Sequence, residues 1–264
     1  MLRFATFNLL HGLSPMQDAT DTALLYESAK LLDVDVVGFQ EVDRFQPRSG
    51  GVDQAALTAE ALDARHWQFV PTLRGTLGRD AVAATGTLPD RDPSADRAPS
   101  YGIGLASRLP VIRWRMRRFE AAPVGLPLLV PGQRRLTRVS DEPRAALAAV
   151  VELPQGGPMT VITAHLSFVP GWNITQLRRI VSWVGDLPAP RLILGDLNLP
   201  GTLPRTVTGW RQLARLATYP AHAPRVQFDH MLAVGVGPER VRYAETLHLL
   251  VSDHRALVLD LAPY

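Results

Sequence analysis

The sequence predicts an α/β fold in which a mixed sheet, or a sandwich of two sheets, carries flanking helices. Three observations predict it. Apolar runs of strand length recur, separated by segments at helical spacing. Strands outnumber helices. Several strands follow one another directly as hairpin-like pairs, which a purely parallel βαβ array does not show.

The elements run in order. "LRFATFNLL" reads as a first strand. "DTALLYESAKLLDV" has apolar residues at helical spacing, with Asp21 or Thr22 as its N-cap. "VDVVGFQEV" is a second strand and "GVDQAALTAEALDAR" a second helix. Four strands follow: "YGIGLAS", "VIRWRMRRF", "RAALAAVVEL" and "MTVITAHLS". In "VIRWRMRRF", alternation places Arg113, Arg115 and Arg117 on one face and turns Trp114 and Met116 to the core. "ITQLRRIVSWVGDL" is helical, "RLILGDLN" is a strand and "RTVTGWRQLARL" a short helix. "FDHMLAV", "RVRYAETLHL" and "RALVLDL" close the chain as strands. Residues 79–100, rich in Asp, Pro, Ala and Thr, and residues 120–142, with Pro, Gly and Arg, read as surface loops. No short-period repeat and no long linker divides the chain, so residues 1–264 are expected to form one domain.

Composition narrows the function. A chain of 264 residues that is 46% hydrophobic can bury a sizeable core. No apolar run approaches the roughly 18 residues of a membrane span. The opening "MLRFATFNLLHG" lacks the features of a signal peptide, so a cytoplasmic location is expected. There is no cysteine, which excludes disulfides, thiol catalysis and Cys-ligated zinc. The net charge of +3, from 28 basic and 25 acidic residues, is too small to imply a polyanion partner by itself. Only three asparagines occur, Asn8, Asn173 and Asn198, and two of them sit at the ends of apolar runs.

Those ends hold a pattern. Asn8 ends the first strand, Glu41 the second, His165 the strand "TVITAHLS", and Asp196 and Asn198 the strand "LILGDLN". Asp229 lies in "QFDHML", and Asp253 and His254 lie just before the last strand. Strand alternation points Asp196 and Asn198 the same way, so they either cap the turn before Pro200 and Gly201 or converge on a site. Taken singly, each residue has a structural reading as a turn residue, a solvated strand end or a satisfied histidine. Taken together, they place carboxylate, amide and imidazole groups at strand ends, where a rigid scaffold can fix an active site. The chemistry that needs this set is phosphoester hydrolysis. Carboxylate and amide oxygens suit a hard cation such as Mg²⁺ or Mn²⁺. An acid, or an acid–imidazole pair, deprotonates or orients water, and a cationic imidazole stabilises charge building on phosphorus.

The motifs "TFNLLHG", "GFQEVD", "YGIGLASRLP", "TAHLS", "GDLN" and "SDHRAL" occur in the order of the endonuclease/exonuclease/phosphatase superfamily, which this chain resembles from Asn8 to His254. The resemblance implies a four-layered α/β sandwich, two packed mixed sheets flanked by helices. It implies that Glu41 is the main metal ligand, with Asn8 and Asp253 close to the metal. Asp196 and Asn198 would position the attacking water and the phosphate. His254, oriented by Asp229, would polarise the phosphate or act as base, and His165 would face the leaving group. Whether Asp196 or His254 takes the proton stays open. Arg144, in "DEPRAAL", either reaches a phosphate or makes a structural salt bridge. "LPGTLPRT" after Asn198, and His165 where tyrosine is usual, depart from the abasic-site endonucleases.

The expectation is a Mg²⁺- or Mn²⁺-dependent phosphodiesterase, phosphatase or nuclease, most closely a phosphodiesterase whose substrate is nucleic acid or a small phosphodiester. The alternatives are a strict DNA endonuclease and a binding protein that kept the fold without catalysis. No protein partner is implied.

Overall fold

The computed structural model describes residues 1–15, 17–88, 97–129 and 136–263. In chain order the elements are β1 (Leu2–Asn8), β2 (Leu13–Ser14), β3 (Ala19–Thr20), α1 (Thr22–Leu32), β4 (Val36–Arg44), α2 (Gln54–Ala61), β5 (His66–Arg74), β6 (Val82–Ala83) and β7 (Ser100–Ser107). There follow β8 (Val111–Phe119), β9 (Leu126–Leu129), β10 (Leu136–Val139), β11 (Arg144–Glu152), β12 (Pro158–His165), α3 (Trp172–Trp183) and β13 (Arg191–Asp196). The last are α4 (Leu203–Thr208), β14 (Arg211–Gln212), β15 (Asp229–Val234), β16 (Val241–Leu247) and β17 (Ala256–Leu261).

Two large sheets result, in the orders β16-β17-β1-β4-β7-β5-β6 and β14-β15-β13-β12-β11-β8. Both are mixed: β1 runs parallel to β4, and β12 parallel to β13, among antiparallel neighbours. Alternation along each strand decides what each face touches. In β1, Leu2 and Phe4 enter the core between the sheets, with Val36, Ile103, Leu147, Leu194 and Leu257. Ala5 and Phe7 point to the other side, where Leu25 and Leu32 of α1 and Ala55 and Ala59 of α2 cover the first sheet. On the far side of the second sheet, Ile162 and Ile193 meet Leu177, Ile180 and Trp183 of α3. The order is therefore helices, sheet, sheet, helix.

The helices start where their caps place them. Asp21 Oδ1 accepts the amides of Ala23 and Leu24 at 2.9 and 3.0 Å, so Asp21 and not Thr22 caps α1. Asp53 caps α2 in the same way, at 3.1 Å from the amides of Ala55 and Ala56.

Three readings change. The stretch 120–142 is not simply a loop, because β9 and β10 pair there as an antiparallel hairpin. The stretch 79–100 contains β6; residues 89–96 and 130–135 lie outside the described part. "RTVTGWRQLARL" is not one helix. α4 stops at Thr208, because Gly209 turns left-handed at φ 70°, and the chain then forms β14. β5 escaped notice because Pro71 interrupts its pattern; its register with β7 shifts between Pro71 and Leu73. Arg113, Arg115 and Arg117 behave as expected: Trp114 and Met116 pack on the inter-sheet core, while Arg115 pairs with Asp186 at 2.6 Å on the outer side.

The sheets approach most closely at Gly38 of β4. A Cβ there would lie 2.2 Å from Leu194 Cδ1 and 2.4 Å from Thr163 Oγ1. We expect Gly38→Ala to destabilise the protein by about 1–3 kcal/mol through overpacking. An urea midpoint equal to the parent's would contradict that.

Candidate active site

The rows of side chains between the sheets turn polar at one end of the sandwich. Thr6, Gln40 and Thr163 form the last layer: Gln40 Nε2 donates to Thr163 Oγ1 across the sheets at 3.0 Å, and Thr6 is bonded to Gln40 at 3.2 and 3.3 Å. One step beyond Thr6 and Thr163 on the same rows stand Asn8 and His165. His165, Asp196 and Asp229 are register partners across β12, β13 and β15, so strand pairing alone sets them side by side.

Glu41 arrives by another route. Plain alternation would turn it outward with Val37 and Phe39. Instead Glu41 has φ 56°, and the β4–β7 register shifts between Phe39 and Val42, so a bulge re-aims it. Asn8 Nδ2 then donates to Glu41 Oε1 at 2.9 Å and to Asp196 Oδ2 at 3.1 Å, linking the two acids and the two sheets.

Asp196 Oδ2 is the centre of the arrangement. His165 Nε2 is 3.7 Å from it and His254 Nε2 is 3.9 Å from it. Both gaps exceed a hydrogen bond. His254 Nδ1 is hydrogen-bonded to Asp229 Oδ2 at 2.8 Å, and the Asp229 side chain is fully buried. That bond fixes the ring and leaves Nε2 facing Asp196. Asp253 is half-buried beside His254, and its charge acts on both Glu41 and His254.

Asn198 stands just past the strand. The strand ends at Asp196, and Asn198 is left-handed at φ 49°. Its backbone amide donates to Asp196 Oδ1 at 3.0 Å, and its side-chain amide donates to the Leu166 carbonyl at 2.9 Å. The two readings of "GDLN" are thus both true of Asp196, which closes an Asx turn with one oxygen and offers the other to the site. Gly195 has no freedom either, since a Cβ there would lie 2.1 Å from the Ala164 carbonyl oxygen.

Arg144 is buried and makes the salt bridge, with Nη2 3.3 Å from Asp141 Oδ1. Its Nη1 lies 3.2 Å from each ring nitrogen of His165. A guanidinium this close to both nitrogens disfavours a second positive charge on the ring. Burial, then Arg144 and His254, hold its pKa well below the ordinary value. His254 goes the other way. Burial opposes its charge, but Asp229, Asp196 and Asp253 outweigh burial and push the imidazole up to about 10. Burial pushes Asp196 up to about 7, against the pull of His254 and the Asn8 bond. Glu41 is raised too, by burial first and also by the charge of Asp253.

The donor set fits a divalent cation. Asp196, Asp229 and His254 bring ligand atoms within 4.8 Å of one another, but Asp229 is engaged by His254 and a charged imidazole cannot coordinate, so the metal falls to the carboxylates nearer Glu41. Glu41 and Asp253 add two carboxylates whose mutual repulsion a cation would relieve.

Three contributors were missed in the sequence. Asn173, buried on α3, donates its Nδ2 to the Asn198 carbonyl at 2.9 Å, so all three asparagines lie in one hydrogen-bonded neighbourhood around Asp196; their scarcity was the visible signal. Asp141 accepts from Arg144, Ser167 and the Ala122 amide, but it lies in a stretch read as loop. Tyr219 packs its ring 4.9 Å from that of His254, in a segment with no periodicity to mark it.

The sequence model of the Endonuclease/Exonuclease/phosphatase family matches residues 5–254. No curated protein sequence matches the chain. Among solved structures, an endonuclease/exonuclease/phosphatase from Beutenbergia cavernae superposes with TM-score 0.65 at 22% identity, over 99% of this chain and 71% of that one. The mannosyl-6-phosphatase Bt3783 of Bacteroides thetaiotaomicron gives 0.63 at 13% identity, over 99% and 100%. Sphingomyelinase C from Streptomyces griseocarneus gives 0.57 at 15% identity, over 99% and 98%. At these identities the likeness shows the fold and leaves the substrate open.

Proposed function

The chain belongs to the endonuclease/exonuclease/phosphatase family, whose members are phosphoester hydrolases, and from that premise we propose that it is a Mg²⁺- or Mn²⁺-dependent phosphodiesterase. One observation carries the reading. Asp196 Oδ2 stands between Asn8, His165 and His254, and His254 is locked by Asp229.

The two central groups are pushed to opposite tasks. Asp196, near 7, changes protonation near neutrality and takes the proton of the attacking water. His254, near 10, is an imidazolium and meets the negative charge that grows on the phosphate. On this reading Asp196, and not His254, takes the proton. Asn8 fixes the Asp196 carboxylate, and Asn198 holds its other oxygen through the backbone. His165 offers a neutral imidazole on the leaving-group side, with Arg144 keeping it uncharged. Glu41, with Asn8 and Asp253, would hold the metal, which neutralises phosphate charge and assists departure of the leaving oxygen.

Charge favours a diester. Arg144 is paired with Asp141 and so adds no net charge. With Arg144 compensated, the imidazolium of His254 is the protein cation left to face the phosphate, and a single charge suits a monoanionic diester better than a dianionic monoester. Among the described residues no helix is long and apolar enough to cross a membrane.

The test is hydrolysis of bis-p-nitrophenyl phosphate with Mg²⁺ or Mn²⁺, run beside a phosphomonoester panel and plasmid nicking. Diester turnover that stops on chelation is expected. Faster turnover of monoesters, or full activity in excess chelator, would overturn the reading. In the same assay Glu41→Ala should raise the metal concentration for half-maximal rate at least about tenfold, with Tm changed by only a few degrees. Unchanged metal dependence would remove Glu41 from the metal shell.

A further inference from the structure

Beside the site is a cation held with more care than a surface arginine requires. Arg48 lies in a short 3₁₀ turn, Pro47–Ser49, between β4 and α2. Its Nε donates to Asp43 Oδ2 at 2.8 Å and its Nη2 to Asp43 Oδ1 at 2.9 Å, a two-pronged pair. Asp43 is fully buried, while the Arg48 side chain is 39% exposed. The backbone is fixed as well, because Thr20 Oγ1 donates to the Arg48 carbonyl at 2.7 Å. The guanidinium lies over the ring of Tyr101, 5.6 Å from its centroid. Its Nη1 has no hydrogen bond among the described residues. A rigid N–H edge is therefore left to solvent.

Its position gives that edge a use. Asp43 follows Glu41 by two residues on β4 and is the register partner of Tyr101 on β7. The sheet order β17-β1-β4-β7 puts Arg48 and Tyr101 on one side of Glu41, and Asp253 and His254 on the other. Glu41 is near enough for its charge to act on Arg48. Asp43 and Tyr101, which hold the guanidinium, are offset from Glu41 by two residues along β4 and one strand across, on the order of 5–7 Å. Neighbouring phosphates on one nucleotide are separated on that scale.

We propose that Arg48, held by Asp43 and backed by Tyr101, is a subsite for a second phosphate, so that the preferred substrate is a diester carrying a further phosphate. The proposal rests on the phosphodiesterase reading above and names the substrate class of that site. Asp43 gives the guanidinium its direction, and Tyr101 supplies a ring face that restricts its tilt. The free N–H groups then meet the second phosphate without first losing side-chain freedom.

The experiment uses thymidine 5′-(p-nitrophenyl phosphate) with and without a 3′-phosphate. Release of p-nitrophenol reports the same bond in both. The parent protein should favour the 3′-phosphorylated compound by roughly 10- to 100-fold in kcat/KM, as a charge-assisted hydrogen bond implies. Arg48→Met should reduce that preference ratio at least tenfold. Arg48→Lys, which keeps the charge and loses the fork, should keep part of it. A parent ratio within twofold of one overturns the proposal without any variant. A ratio unchanged in a folded Arg48→Met protein overturns it too, and assigns Arg48 to neutralising Asp43. Hydrolysis of bis-p-nitrophenyl phosphate by the parent is a separate readout, and its absence would sink the phosphodiesterase reading instead.

Discussion

Asp196→Asn is expected to lower kcat for bis-p-nitrophenyl phosphate by about 10²–10⁴-fold, the range of a lost general base. The variant keeps an oxygen to accept the Asn198 amide, a bond now at 3.0 Å, so the turn should survive. What it loses is the proton acceptor. The pH profile carries the sign. Burial raises the Asp196 carboxyl to about 7, so its basic form is filled as pH rises through that value. The carboxylates around His254 raise it to about 10 against burial, so its acidic form empties as pH rises through that value. kcat/KM should therefore climb through about 7 and decline near 10. Asp196→Asn should remove the lower limb. A folded variant with the parent rate, or with the lower limb in place, would take the base role from Asp196.

His254→Ala should cost turnover on a similar scale, about 3–5 kcal/mol of transition-state stabilisation. Asp229→Asn should lower kcat by less and leave metal affinity nearly intact, because Asp229 acts through the 2.8 Å bond to His254 Nδ1. Combining the two should cost little more than His254→Ala alone, since residues working as a unit are not additive. If Asp229→Asn turns over at the parent rate, or chiefly loses metal, then the pairing is not what serves catalysis. Stability offers an independent check in metal-free protein. The folded pKa of His254 lies above its unfolded value, so its contribution is complete below about 6.5 and is lost as pH rises toward about 10. The Tm advantage of the parent over His254→Ala should shrink across that window. A constant advantage would mean that the imidazole is not charged in the fold.

Much of the molecule could be read from its residues because the information was local. Leu2, Phe4 and Phe7 alternate as a strand buried on both faces must. Asp21 and Asp53 stop and start the chain as caps. β5 was hidden by Pro71 and the hairpin of β9 and β10 by its turn-rich composition, because the partners that make those segments strands are remote in sequence.

The same division holds at the site. By itself the sequence determined which groups end the strands: Asn8, His165, Asp196 and Asp229 continue rows whose period is two, and in-register pairing then brings three of them together. Only the tertiary structure decided how those groups are used. Glu41 faces the site because a bulge breaks its alternation, and that bulge is a property of the β4–β7 pair. Asn198 is fixed in place because Leu166 and Asn173, from other elements, hold its side-chain amide and its backbone carbonyl. Arg144 is tied to Asp141 and His165, and Arg48 to Asp43, by contacts that no spacing announces. The charge states follow from the same cause. Whether an imidazole near neutrality is charged depends on the acids and cations that folding packs around it. His254 is set among three carboxylates, whereas His165 lies against a guanidinium, and so two histidines with the same side chain become a cation and a neutral ring.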